Sequence, residues 1–147
     1  MKVRIKDGSF TDASDLKKID SVASGNPKRA QQIDDWLMHD VVRVLLIDEH
    51  ITGYAVLDNY FFHYDHIEML MIAEAQRGKR LGQMLIEDLE QLAETDKMFT
   101  STNLSNSMMQ RLLSRIGYRT CGYIDEIDPG DPEIVYVKNL KKENAKK

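Results

Sequence analysis

The 147-residue sequence has a single cysteine, Cys121, and this scarcity restricts its chemistry. One thiol excludes an internal disulfide, a zinc site built from cysteines and a CxxC redox pair. A lone cysteine on a strand is most simply a small buried hydrophobe, so we do not expect a thiol nucleophile. His63 and His66 are three positions apart, a spacing that would point them to opposite faces if one strand held both, so we predict no metal site.

Long apolar runs are also missing, and none approaches the roughly 18 residues that a membrane span requires. Residues 1–6 alternate charged and apolar side chains, unlike the apolar core of a signal peptide. Lysine and arginine number 20 against 24 acidic residues, and the net charge of −4 argues against a nucleic-acid partner. We therefore expect a cytoplasmic protein with neither a membrane nor a nucleic acid as partner.

The composition that remains is that of an ordinary globular domain, with 42% hydrophobic and 30% charged residues. A chain of this length buries roughly 70% of its unfolded surface, which is enough for one core. No repeat or linker interrupts the sequence. We predict one domain over residues 1–147, with a frayed charged tail at 141–147.

Hydrophobic periodicity predicts the element order β-α-α-β-β-β-α-β-α-β-β. This order indicates an α/β fold with a central mixed, mostly antiparallel sheet flanked by helices. The strand that ends in Met69–Ile72 is almost entirely apolar there, so we expect it to be central and covered on both faces. We predict strands at 2–6, 41–47, 51–57, 66–72, 98–102, 118–127 and 134–140, and helices at 12–22, 27–37, 81–93 and 107–116.

The most informative segment is the loop before the third predicted helix. Arg77, Lys79 and Arg80 place three positive charges within four positions of an acidic chain. Gly78 and Gly82 allow tight turns, and the helix N-terminus offers unpaired N–H groups with about half a positive charge. These features predict a pyrophosphate site, although the spacing fits neither GxxxxGK[ST] nor GxGxxG.

This segment resembles the core motif of the GNAT superfamily of acetyl-CoA-dependent N-acetyltransferases. In that motif an apolar strand is followed by (Q/R)-x-x-G-x-(G/A) and an amphipathic helix. Arg77 and Gly82 match the motif, and Gly78 and Lys79 agree with its common R-G-K filling. Arg80 stands where the family usually has glycine, and there it would either narrow the backbone's approach or add a phosphate contact.

A second similarity to the family is an asparagine, a helix and an aliphatic-glycine-aromatic ending, seen as Asn106 and Ile116–Tyr118. By this resemblance, Asn106 binds the pantetheine arm or helps to position the acceptor. The family often has a tyrosine four residues before that glycine as general acid for the leaving thiolate. Leu113 occupies that position here, so Ser114, Tyr118 or water are the alternatives.

The resemblance implies an acyltransferase that transfers an acetyl group from acetyl-CoA, as co-substrate, to a primary amine by direct attack in a ternary complex. The attacking amine must lose a proton, and Glu68 is the first candidate for the base, with His66 the second. Backbone groups of the preceding strand would bind the pantetheine amides and polarise the thioester carbonyl. The implied cofactor-binding residues are Leu70, Met71, Ile72, Arg77, Gly78, Lys79, Arg80, Leu81, Gly82 and Asn106.

Several alternatives stay open from the sequence. Arg80 and Leu113 are compatible with a non-catalytic acyl-CoA-binding regulator, and the basic loop with a nucleic-acid-binding module. The acceptor, a small-molecule or peptide amine, and the length of the acyl group are undetermined. The acidic run at 125–133 is most simply a solvated hairpin loop, and alternatively attracts a cationic amine. Exposed strand edges are compatible with a homodimer.

Overall fold

The structure is a computed structural model that describes residues 1–140, so the predicted tail at 141–147 lies outside the described residues. No helix in this part of the chain is long and apolar enough to cross a membrane. The strands are β1 (Val3–Asp7), β2 (Val41–Ile47), β3 (His50–Phe61), β4 (Tyr64–Ile72), β5 (Lys97–Asn103), β6 (Arg119–Ile124) and β7 (Glu133–Asn139). The α-helices are α1 (Ala13–Ile19), α2 (Pro27–His39), α3 (Leu81–Leu92) and α4 (Ser107–Arg115).

The strands form one mixed sheet in the order β1-β2-β3-β4-β5-β7-β6. β4 and β5 pair in parallel, as expected of strands that a helix connects, whereas β1–β2, β2–β3, β5–β7 and β6–β7 pair antiparallel. The predicted α/β class, the mostly antiparallel sheet flanked by helices and the order of the elements are therefore confirmed.

Contacts within the chain divide it into two units, Met1–Asp58 with Glu68–Gln91, and Asn59–Ile67 with the chain from Leu92 onward. The division passes through β3 and β4, which are continuous strands. The sequence-based assignment of one domain to residues 1–147 stays a prediction.

The first unit has an apolar core between α1, α2 and the β2–β3 hairpin. Leu16, Ile33 and Tyr54 are at most 1% exposed. Helix α1 ends at Ile19, three residues earlier than predicted, because Asp20 turns into this core. Its carboxylate accepts hydrogen bonds from the Tyr54 hydroxyl at 2.6 Å and from the backbone N–H groups of residues 22 and 23.

In the second unit, β7 lies between β5 and β6, and α4 precedes β6. All six residues of β6 are exposed, and the pairing register with β7 shifts between Thr120 and Gly122. Cys121 lies at this bulge and is exposed, so the expectation of a buried cysteine is wrong. The exposure is shared by the whole strand, which lies at the edge of the sheet and has no buried residue, so nothing covers the Cys121 side chain.

Candidate active site

The end of β4 carries the proposed pantetheine-binding residues Leu70, Met71 and Ile72, which are half-buried. The expectation that this strand end is covered on both faces is wrong, because an apolar run permits double coverage without enforcing it. Gly53 of β3 lies against this end: a Cβ at Gly53 would come within 2.7 Å of Ile72 Cδ1 and 3.0 Å of the Met71 carbonyl oxygen. Glycine at this position therefore sets the close approach of the two strands.

The loop that follows β4 contains two residues with left-handed backbone conformation. Gly78 has φ +84° and Arg80 has φ +62°. Glycine adopts such angles freely, whereas a side chain there costs roughly 1–2 kcal/mol. Arg80 stands where the family motif usually has glycine, and the left-handed backbone at this position favours glycine.

The three cations of the loop differ in their surroundings. The Arg77 guanidinium donates from Nε to the Ile72 carbonyl oxygen at 3.0 Å, and Lys79 Nζ donates to Gln76 Oε1 at 2.7 Å. Both side chains therefore stabilise the loop in this conformation. Arg80 is exposed and, among residues 1–140, has no hydrogen-bond or ion-pair partner.

Helix α3 begins directly after this loop. Its first i→i−4 hydrogen bond runs from the Met84 N–H to the Arg80 carbonyl oxygen at 3.3 Å. The N–H groups of Leu81, Gly82 and Gln83 consequently have no acceptor within the helix and lie at its positive end. The Leu81 side chain is 2% exposed, so only its backbone is available to a ligand.

Gln83 was missed in the sequence analysis. Its Nε2 donates to Glu87 Oε2 at 3.2 Å, whereas its Oε1 is buried and has no hydrogen-bond partner in the described part of the chain. A buried acceptor without a partner costs about 1–3 kcal/mol. The sequence indicates this residue only by its position, because Gln83 directly follows Gly82 at the start of α3.

A pair of carboxylates lies on β3 and β4 of the first unit. One oxygen of Asp58 and one of Glu68 are within 4.8 Å of each other. Glu68 is exposed, whereas Asp58 is only 8% exposed. Asp58 was also missed, although an acidic residue at the end of the apolar segment 54–57 is an available signal. His66 lies two positions before Glu68 in the sequence, and its ring stacks on that of Phe61 at 5.6 Å.

The second unit holds the remaining predicted residues. Asn106 caps α4, since its Oδ1 accepts from the Met109 N–H at 3.1 Å, which leaves Nδ2 for other contacts. Gly117 ends the helix with φ +103°. Leu113 is fully buried, and Tyr118 is 4% exposed with Lys138 Nζ 5.6 Å from its ring centroid.

The acidic run of the second unit is tied to the loop before α4. Asp128 Oδ2 accepts from Asn103 Nδ2 at 2.9 Å. Asp131 accepts from the Ser105 N–H at 2.9 Å and from its hydroxyl at 2.6 Å. These bonds favour a structural role for Asp128 and Asp131 in holding the start of α4.

Comparison with known proteins relates this arrangement to a family. The sequence model of the Acetyltransferase (GNAT) family matches residues 11–118, well over half of the chain. No curated protein matches the sequence significantly.

Solved structures share the fold at low sequence identity. A GNAT acetyltransferase from Bacillus cereus ATCC 10987 has a TM-score of 0.89 and 24% identity, covering 97% of this chain and 100% of its own. The ribosomal-protein-S18-alanine N-acetyltransferase from Escherichia coli has a TM-score of 0.78 and 14% identity, with 97% and 98% covered. A GNAT acetyltransferase from Elizabethkingia anophelis, with acetyl-CoA bound, has a TM-score of 0.76 and 17% identity, with 94% and 98% covered. The chain belongs to the GNAT acetyltransferase family and is an acyltransferase.

Proposed function

We propose that this acyltransferase transfers an acetyl group from acetyl-CoA directly to a primary amine, within a ternary complex and without a covalent enzyme intermediate. The observation that carries the proposal is the loop before α3, in which Arg80, whose guanidinium has no partner among residues 1–140, directly precedes the unpaired amides at the start of the helix. Acetyl-CoA, when bound, supplies an activated thioester. The acceptor is a small-molecule or peptide amine.

The residues of the first unit fit a diphosphate. The amides of Leu81 and Gly82 and the guanidinium of Arg80 provide donors and positive charge, and Arg77 and Lys79 add to that charge. A Cβ at Gly78 would meet no atom within 4 Å, so the space beside this residue is open to a ligand.

The pantetheine arm is assigned to the strand that precedes this loop. Leu70, Met71 and Ile72 would bind its amides through their backbone, as an added strand would. In the second unit, the family resemblance assigns Asn106 to the same arm, through the Nδ2 that its capping bond leaves over.

For the chemical step, the chain must take a proton from the ammonium form of the acceptor. We assign this role to Glu68, which is exposed on β4 and within reach of a second carboxylate, Asp58. The two negative charges attract a cationic acceptor, and Glu68 can hold the proton that it releases. His66 is the second candidate for the base. Tyr118 is proposed to protonate the departing thiolate, with Ser114 or water as alternatives.

The direct test is incubation of the protein with acetyl-CoA and a panel of polyamines, amino acids, aminoglycosides and peptides. Thiol release and mass spectrometry would show transfer and identify the acceptor. Glu68→Gln should lower kcat by about 100-fold or more with little change in the KM for acetyl-CoA. Glu94→Gln, which changes an exposed carboxylate outside the first unit, is the matched control.

Two results would contradict the proposal at different points. Transfer at the wild-type rate by Glu68→Gln would remove Glu68 as the base and leave the function standing. Absence of any heat of binding for coenzyme A, with no thiol release for any amine, would overturn the function itself.

A further inference from the structure

A groove of about 520 Å³ runs along α4 in the second unit, and we call it the α4 groove. Five of its residues recur on α4 with the spacing i, i+3, i+4, i+7 and i+8, which places them on one face of the helix. All five side chains are polar, whereas residues with this spacing in an amphipathic helix are commonly the apolar ones that pack against the core. The groove is lined by Ser107, Gln110, Arg111, Ser114, Arg115 and Tyr136.

Two arginines dominate the charge of the α4 groove. Arg111 and Arg115 are exposed and one helical turn apart, so their Cβ atoms are separated by about 5–6 Å. Within residues 1–140 neither guanidinium has an ion-pair or hydrogen-bond partner. Like charges at this spacing repel each other, and residues 107–123 contain no acidic side chain to compensate them. A bound anion would relieve this repulsion.

Tyr136 of β7 adds a hydroxyl group to the lining of the α4 groove. Tyr136 on β7 is 3% exposed, and its hydroxyl has no hydrogen-bond partner in the described residues. Burial raises the pKa of Tyr136, so the hydroxyl remains protonated and can donate. The hydroxyl oxygen itself keeps accessible surface, because Gln83 Oε1 is the only fully buried side-chain oxygen or nitrogen without a partner in the described residues. It is therefore available to a ligand in the groove that Tyr136 lines.

We propose that the α4 groove binds a small molecule through a phosphate monoester group. Such a group carries a charge near −2 and three acceptor oxygens, which matches two guanidinium groups and the hydroxyls around them. The groove is within the roughly 300–1,000 Å³ typical of small-molecule sites, and no carboxylate lines it. The ester could belong to a free metabolite or be the 3′-phosphate of coenzyme A, and the second source rests on the proposed function.

The test is an NMR titration of the full chain with phenyl phosphate at constant ionic strength. Saturable shifts are expected for the amides of α4 and of Tyr136. The double variant Arg111→Gln/Arg115→Gln should weaken binding by about tenfold or more, and Tyr136→Phe should weaken it less. Arg119→Gln changes an exposed arginine on β6 outside the groove and should bind like the wild type.

Absence of saturable shifts, or an equal loss of affinity in Arg119→Gln, would overturn the α4 groove as a phosphate site. Titrations with coenzyme A and 3′-dephospho-coenzyme A separate the two sources. If the amides of α4 shift with coenzyme A but not with 3′-dephospho-coenzyme A, the ligand of the α4 groove is the 3′-phosphate of coenzyme A. Phenyl phosphate binding that persists in protein saturated with coenzyme A identifies a free metabolite, and either result supports the proposal. If phenyl phosphate does not bind in the α4 groove but the protein still transfers acetyl groups, the proposed function stands.

Discussion

At the scale of single residues, Arg80 combines a left-handed backbone with a charge that no described residue neutralises. The first property disfavours an arginine, because glycine is the residue that adopts this conformation without strain. The second property gives the arginine a use, because a guanidinium at a helix N-terminus adds to the attraction for a diphosphate. Two substitutions separate the contributions of the backbone and of the charge.

We predict that Arg80→Gly is more stable than Arg80→Ala by about 1 kcal/mol, since only glycine relieves the backbone strain. Both variants lose the guanidinium, so both should bind coenzyme A about tenfold or more weakly. Urea denaturation measures the first effect and calorimetry the second. Equal stability of the two variants would show that the arginine is not strained, and unchanged affinity would remove its phosphate contact.

Asp20 is the second informative residue, because it is a buried carboxylate in a core. Burial by itself raises the pKa of Asp20, but hydrogen bonds from Tyr54, from the Val22 N–H and from Arg29 outweigh it, so the pKa is below its ordinary value. A carboxyl group with a lowered pKa in the folded state stabilises the protein above its unfolded pKa of about 3.9. This stabilisation is lost as the pH falls through the folded-state pKa.

We therefore predict that Asp20→Asn lowers the free energy of unfolding at pH 7 by about 3 kcal/mol, because Arg29 and Tyr54 lose their charged partner. The difference from the wild type should shrink below about pH 4, where the wild-type carboxylate itself becomes protonated. Urea denaturation at several pH values measures both effects. Asp35→Asn, an exposed position on α2, is the control and should be close to neutral. A difference that is independent of pH would contradict the assignment.

At the scale of secondary-structure elements, the approach of β3 to β4 determines where the donor-binding strand lies. Gly53 allows this approach, and the Ala73 N–H donates to the Thr52 carbonyl oxygen at 2.7 Å just beyond it. The position of Met71 and Ile72 therefore depends on a residue that has no side chain.

We predict that Gly53→Ala costs about 1–3 kcal/mol of stability, because its Cβ would overlap Ile72 and press on the Met71 carbonyl. The displaced strand should also raise the KM for acetyl-CoA more than it lowers kcat. Denaturation and steady-state kinetics measure these effects. Gly122→Ala on β6 is the matched control, since a Cβ there would meet no atom within 4 Å. If Gly53→Ala and Gly122→Ala lost comparable stability, the loss would not come from the contact of a Cβ with Ile72 and the Met71 carbonyl.

The elements also show which boundaries local patterns can predict. Leucines at helical spacing predicted α3 over 81–93, and the helix spans Leu81–Leu92. The end of α1 was predicted at residue 22 and lies at Ile19, because Asp20 bonds to Tyr54, a residue 34 positions away in the sequence. Periodicity reports a face of a helix, but it cannot report a distant partner that stops one.

At the scale of the whole molecule, the net charge of −4 opposes the binding of an anionic coenzyme, whereas the loop before α3 favours it. Attraction by exposed charges weakens as salt increases, since the Debye length falls from about 10 Å at 0.1 M to about 3 Å at 1 M. A ligand that binds only the folded state also stabilises it.

We predict that coenzyme A at about 100 times its Kd raises the free energy of unfolding by about 2.7 kcal/mol. At a fixed concentration of coenzyme A, this stabilisation should decrease as sodium chloride is added, because the affinity falls. Thermal denaturation with and without ligand measures it, with pantetheine, which lacks the diphosphate, as the control. A salt-independent shift, or an equal shift with pantetheine, would contradict a charge-based diphosphate site.

The sequence by itself determined the α/β class, the order of the elements and the position of the basic loop before α3. These features depend on side-chain periodicity and on glycine and charge within short segments, which are local properties of a chain. The tertiary structure alone decided that Arg77 and Lys79 are engaged within the loop while Arg80 is not, that Asp58 lies near Glu68, and that Tyr136 lines the same groove as the arginines of α4. Each of these depends on which atoms the folded backbone brings within a few ångströms, and spacing along the sequence does not contain that information.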